Sequence, residues 1–221
     1  TRAMDTANLS AQVAAITTSL SATPTLLPFQ FTDRPEEFTQ LWAIRQGLFP
    51  SVGSARATGT TFIIEDVAVP VPQLAAMTLD LQRLFDQHGY TGSIIFGHAL
   101  EGNLHFVITP NFADPAETER YKNFMDDVCK MIVHQYDGSL KAEHGTGRNI
   151  APFVELEWGK QAYGLMQEIK ALFDPQNLLN PGVILNDDPE AHLKNIKPMA
   201  AVDPLVDKCI ECGFCEPNCP S

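Results

Sequence analysis

The sequence predicts an α+β domain: a split β-α-β antiparallel sheet with helices on one face, plus a short Cys-rich tail. Three observations carry this. Of the 221 residues, 44% are hydrophobic and 19% charged, a globular composition long enough to bury one core. Between Phe62 and Ala142 the apolar pattern switches repeatedly between strand-like and helix-like periods. Four of the five cysteines fall within Cys209–Ser221.

The elements follow in order. Leu9, Val13, Ile16 and Leu20 recur at helical spacing, so Asp5 to Leu20 reads as a helix. Asp33-Arg34-Pro35-Glu36-Glu37 has a capping residue, a first-turn proline and acids at a helix start. That second helix carries Phe38, Leu41, Trp42 and Arg45, and Gly53 to Gly59 reads as a small-residue loop. Phe62–Val67 is a strand. Pro72–Gln87 is a helix with Leu74, Met77, Leu81, Leu84 and Phe85 on one face. Gly92–Leu100 and Asn103–Ile108 are strands joined by a tight Glu101-Gly102 turn. Pro115–Tyr136 is a helix that buries Tyr121, Phe124, Met125, Val128, Ile132 and Val133, with Cys129 as a small core residue. Ser139–Ala142 is a short last strand. The order β-α-β-β-α-β is the ferredoxin-like split unit. A further helix, about Leu156–Phe173, stops at Asp174-Pro175, and Asn180-Pro181-Gly182 is a turn. Residues 187–208 turn polar and proline-punctuated and read as a linker.

Charge and hydropathy narrow the function. Lys plus Arg is 15 and Asp plus Glu is 27, a net charge of −12. So acidic a chain is a poor partner for nucleic acid or an anionic membrane face. A small acidic substrate is still admissible, because charges beyond about 8 Å are screened at physiological salt. No apolar stretch is long enough to span a bilayer, and no signal peptide is visible. The clustered cysteines suggest metal in a reducing compartment, so a cytoplasmic location is expected, free or at the inner face of the membrane. A chain that begins at Thr1 is expected to be a piece of a longer protein. No nucleotide-phosphate loop motif occurs.

Three groups carry chemistry. With Glu101-Gly102 as a two-residue loop, His98 would sit opposite His105 on one face, about 5 Å apart. Two imidazoles so placed can share one divalent metal ion such as zinc. Glu143 and His144 follow the last strand and reach the same sheet edge across one intervening strand. Two His plus one carboxylate with open positions is a catalytic metal set. Cys209-x2-Cys212-x2-Cys215-x3-Cys219-Pro220 has the spacing of a [4Fe–4S] site, whose fourth cysteine can serve another cluster. The cluster is therefore expected to be incomplete within this chain. Arg45, Arg56, Lys141 and Arg148 are candidate carboxylate anchors, with Arg45 and Arg148 preferred.

Gly97-His98-x3-Gly102-Asn103-Leu104-His105, Ala142-Glu143-His144-Gly145-x-Gly147 and Asp174-Pro175-x3-Leu179-Asn180-Pro181-Gly182 together resemble the carboxyl-terminal domain of FAD-linked oxidases. The resemblance covers about residues 25–186. It implies a substrate-binding cap over residues 1–186, a linker over 187–208, and the truncated start of a ferredoxin-type domain over 209–221. It implies a dehydrogenase that oxidises a small D-2-hydroxy acid to the 2-oxo acid with FAD, which is bound mainly by a domain outside this chain; alone the chain would be inactive. His98, His105 and Glu143 would hold the metal, His144 would act as general base, and Arg45 and Arg148 would bind substrate. Asn180 and Gly182 would lie near the flavin. Electrons would leave through Cys209, Cys212, Cys215 and Cys219 to a quinone, cytochrome or other carrier, in a protein expected to be a homo-oligomer. Members specific for D-2-hydroxyglutarate carry Lys where Ile64 stands, ahead of Asp66-Val67-Ala68-Val69-Pro70, so D-lactate and D-2-hydroxyglutarate both stay open. An electron-transfer or docking module and a metal-dependent hydrolase are the alternatives from other classes.

Overall fold

A computed structural model describes residues 3–25, 27 and 29–218, and the chain divides into two compact units, 1–51 and 52–221. In the first unit, helix α1 (Thr6–Leu20) starts at Asp5, whose carboxylate accepts the Asn8 N–H at 2.8 Å. Its Leu9, Val13, Ile16 and Leu20 are half-buried, along the predicted stripe. Helix α2 (Pro35–Ala55) begins with Glu36 and Glu37 in its first turn and continues through Pro50, so the first three residues of the expected loop are helical.

The second unit contains β1 (Ile63–Ala68), α3 (Leu74–Gln87), β2 (Ile94–His98), β3 (Asn103–Ile108), α4 (Pro115–Lys130) and α5 (Val154–Phe173). The strands form an antiparallel sheet in the order β1-β3-β2. Successive residues on a strand point to opposite faces. Leu104, Phe106 and Ile108 of β3 therefore meet Met77, Leu81 and Phe85 of α3 and Tyr121, Phe124, Met125 and Val128 of α4 in the core. Phe85 stacks on Phe124 at 5.7 Å. Cys129 is buried in this core, and burial pushes its thiol pKa up. Asn103 and His105 alternate with those core residues and belong to the opposite face.

The expected last strand is reduced to one bridge. Ala68 and Ser139 exchange both backbone hydrogen bonds, at 3.0 and 2.8 Å, beside β1. The ladder then stops because side chains capture the next donors. Glu157 accepts the Leu140 N–H at 3.0 Å, and Asp66 accepts those of Ala142, Glu143 and His144.

The hairpin register also differs from expectation. A 3-10 turn, Ala99–Glu101, and Gly102 connect β2 to β3, so His98 pairs with Asn103 and Phe96 with His105. Gly102 sits in the left-handed region with φ 67°, and its carbonyl accepts the Val69 N–H at 2.9 Å. The shift is two residues, which preserves face parity; a one-residue slip would have turned His98 away.

The stretch read as a linker is packed in part. Ala191 and His192, in a 3-10 turn, are buried, and the His192 ring lies 5.2 Å from that of Phe153.

Candidate metal centre

Parity brings the histidines together. His98 and His105 are diagonal neighbours on the face opposite the helices, a separation that aromatic side chains can bridge. Their ring centroids lie 5.5 Å apart with planes at 87°. Glu143 completes the set from the loop after Ser139. Its Oε1 lies 3.3 Å from His98 Nε2 and 2.8 Å from His105 Nε2. The three ligand atoms fall within 4.8 Å of one another. His105 is 4% exposed in its side chain, whereas His98 and Glu143 are about half exposed, so the set has a buried floor and an open side. An open cleft of about 480 Å³ adjoins it, lined by His98, Asn103, Ser139, Lys141 and Glu143 among others.

The donor set fits a divalent ion. Burial, then the neighbouring His144, lowers the His105 pKa against the opposing pull of Glu143. The imidazole is thus biased toward the neutral form that a ligand needs. Crossed ring planes also let the two in-plane lone pairs meet at one point.

Beneath this set lies Asp66, which sequence reasoning passed over. It pairs with His105 across β1 and β3 and is fully buried. Its Oδ2 accepts the N–H groups of Glu143 at 2.7 Å, Ala142 at 3.1 Å and His144 at 3.4 Å. Lys141 Nζ lies 3.5 Å from Oδ1. Burial raises the Asp66 pKa, but the Glu143 N–H, Lys141 and His144 outweigh it and leave it lowered. The available signal was a charged pair, Glu65-Asp66, inside an apolar strand pattern. Asp66, His105 and His144 also bring three ligand atoms within 4.8 Å. The His105 and His144 rings, however, stack at 4.7 Å with planes only 14° apart. Nearly parallel rings cannot aim in-plane lone pairs at one ion, so this second set is a poor ligand sphere.

The other predicted residues are distributed as follows. Lys141 pairs with buried Glu65 and is spent within the fold. Arg56 donates to the carbonyls of Gly53, Thr60, Lys208 and Cys209, which ties the tail to the body of the second unit. Arg148 is exposed and lines a different cleft, with Glu65, Tyr121 and His192, not the one beside His98. Arg45 is exposed on α2, in the first unit. Asn180 and Gly182 both have positive φ in the turn after Asp174. Ile184, at the end of that turn, donates to the Gly147 carbonyl at 3.3 Å, so the turn abuts the loop that carries Glu143 and His144. Lys170 and the N–H groups of Leu179 and Leu178 hold the Asp174 carboxyl down to about 2. Cys209, Cys212 and Cys215 are free thiols, and Glu211 N–H points at Cys209 Sγ from 3.4 Å. Cys219 lies outside the described residues.

The fold and the site define an α+β domain with a two-histidine, one-carboxylate centre on the open face of its sheet. The chain belongs to the family of the C-terminal domain of FAD linked oxidases, whose model matches residues 1–184. It is 33% identical over 134 residues to glycolate oxidase subunit GlcD of Bacillus subtilis, covering 61% of this chain and 28% of that protein. It is 30% identical over 173 residues to D-2-hydroxyglutarate dehydrogenase of Pantoea ananatis, covering 77% and 17%. It is 32% identical over 160 residues to the mitochondrial cytochrome-type D-lactate dehydrogenase of Arabidopsis thaliana, covering 71% and 27%. The chain therefore spans less than a third of these relatives. No helix among the described residues is long and apolar enough to cross a membrane.

Proposed function

We propose that this chain is the substrate-binding cap of a flavin-dependent dehydrogenase that oxidises a small 2-hydroxy acid to the 2-oxo acid. D-lactate and D-2-hydroxyglutarate are the leading substrates, and the glycolate oxidase relative adds glycolate. The observation that carries the reading is the approach of His98 Nε2 and His105 Nε2 to one oxygen of Glu143.

His98, His105 and Glu143 would hold a divalent ion, which lowers the pKa of a bound hydroxyl and neutralises carboxylate charge. His144 stands beside this set with Nδ1 turned toward Asp66, 3.8 Å from Oδ1. That leaves His144 Nε2 to accept the substrate hydroxyl proton as general base. FAD, when bound, would supply the acceptor for the hydride that leaves Cα as the hydroxyl proton goes to His144. Asn180 and Gly182 would border the flavin. Residues 1–186 would form the cap and 187–208 the connection, with 209–221 opening a ferredoxin-type domain. There Cys209, Cys212, Cys215 and Cys219 would supply ligands for [4Fe–4S] chemistry, completed by residues outside this chain, that would carry electrons one at a time to a quinone, cytochrome or other carrier. We place the protein in the cytoplasm, where such thiols stay reduced, as a homo-oligomer.

The test is elemental analysis and turnover of the full-length protein, wild type against His105→Ala, with D-lactate, D-2-hydroxyglutarate and glycolate. About one divalent ion per chain, lost together with turnover in the variant, is the expected result. Undiminished turnover in His105→Ala would refute the reading.

A further inference from the structure

Asp66 is the one fully buried carboxylate among the described residues of the second unit, and its cost needs an explanation. Removing a carboxylate from water is unfavourable unless strong partners replace the solvent. Its partners are specific. Three consecutive backbone N–H groups, those of Ala142, Glu143 and His144, converge on Oδ2. Two of these residues are the proposed ligand and the proposed base. Oδ1 accepts no hydrogen bond and faces Lys141 Nζ at 3.5 Å and His144 Nδ1 at 3.8 Å. The ladder to β1 ends at the Ser139 bridge, and the Glu157 and Lys141 contacts hold the loop before residue 142 and the Ile184 contact after residue 146, so it is Asp66 that bonds the backbone N–H groups of Glu143 and His144 themselves. On β1, directly across from His105, Asp66 is anchored in the same sheet that carries the ligand histidines.

We propose that Asp66 is a positioning residue. Its Oδ2 clamps the backbone that carries Glu143 and His144, setting the Glu143 carboxylate against His98 and His105 and keeping the His144 ring stacked on His105. This rests on the metal reading above and adds a residue to it. The clamp is a polymer-chain device: one rigid acceptor replaces the strand pairing that would otherwise fix a ligand loop. Partners of this kind, outside the ligands themselves, change metal affinity or activity by about 10–100-fold when removed.

Cobalt(II) titration of the full-length protein, followed by its visible d–d bands, tests this in wild type, Asp66→Asn and His105→Ala. Asn is nearly isosteric, but it loses the negative charge and puts an NH2 group in place of one oxygen. Asp66→Asn should bind cobalt about 10–100-fold more weakly, with altered bands and an unchanged far-ultraviolet circular dichroism spectrum. Wild-type affinity and bands in Asp66→Asn, with binding lost in His105→Ala, would overturn the Asp66 proposal alone. No cobalt uptake by wild type would overturn the metal reading and this proposal with it. Amide hydrogen exchange on the wild-type protein needs no variant. The Glu143 N–H should be strongly protected although its residue is exposed, and free exchange there would overturn the clamp.

Discussion

At the residue scale, burial and partnership decide what each side chain can do. His105, His98 and Glu143 were legible because their types and spacing suit a metal. Asp66 showed only as a charge inside an apolar strand, and its role stayed hidden because the backbone groups it meets come from residues 142–144. His192 was equally invisible, since it lies in a stretch whose composition reads as linker. Both of its ring nitrogens are buried without hydrogen-bond partners, and burial lowers its pKa below the ordinary 6.5. The linkage has a definite sign. The folded protein holds His192 neutral, whereas the unfolded chain takes up its proton once the pH falls below about 6.5. His192 therefore removes stability as pH drops through that value, until the folded pKa is passed. His192→Phe should flatten this part of the stability curve, measured by urea unfolding at pH 7.5, 6.5 and 5.5. An unchanged slope would show that the folded protein accommodates the charge.

At the element scale, periodicity located the helices and strands, but pairing details escaped it. The hairpin is a case in point. A Glu-Gly pair between two apolar runs suggests a two-residue loop, yet the chain spends four residues on the connection. Long-range contact decided the matter, because the Gly102 carbonyl bonds the N–H of Val69, the residue that follows β1, β3's other neighbour. A Cβ at Gly102 would lie 2.0 Å from the Val69 carbonyl oxygen, and the left-handed backbone adds strain for any side chain. Gly102→Ala should cost at least about 2 kcal/mol in chemical unfolding. Because the same turn aims His98, the variant should also weaken metal retention. Wild-type stability in Gly102→Ala would mean that the connection can adopt the shorter turn. The last strand was overestimated for a related reason: residues 139–142 have strand character, but Glu157 and Asp66 compete for their donors.

At the scale of the whole molecule, the sheet divides labour between its faces, with the aromatic core on one and the proposed ligand set on the other. The sequence showed this division plainly in β3, where Leu104, Phe106 and Ile108 alternate with Asn103 and His105. It did not show where the packed unit ends. Ala191 and His192 close over Tyr121 and Phe153, beyond the last residue matched by the family. A chain cut after residue 186 should melt several degrees below one cut after residue 198, because about 1 kcal/mol shifts the midpoint of a domain this size by roughly 2–4 °C. Equal midpoints would show that the segment merely lies on the surface. A last consequence concerns solubility. β1 is an edge strand along most of its length, guarded by one bridge and by the loop that Asp66 holds down. Exposed edges recruit other chains, and charges planted inside an edge strand are a common deterrent. Glu65 and Asp66 put two carboxylates inside this edge strand, a placement that disfavours pairing with a foreign chain.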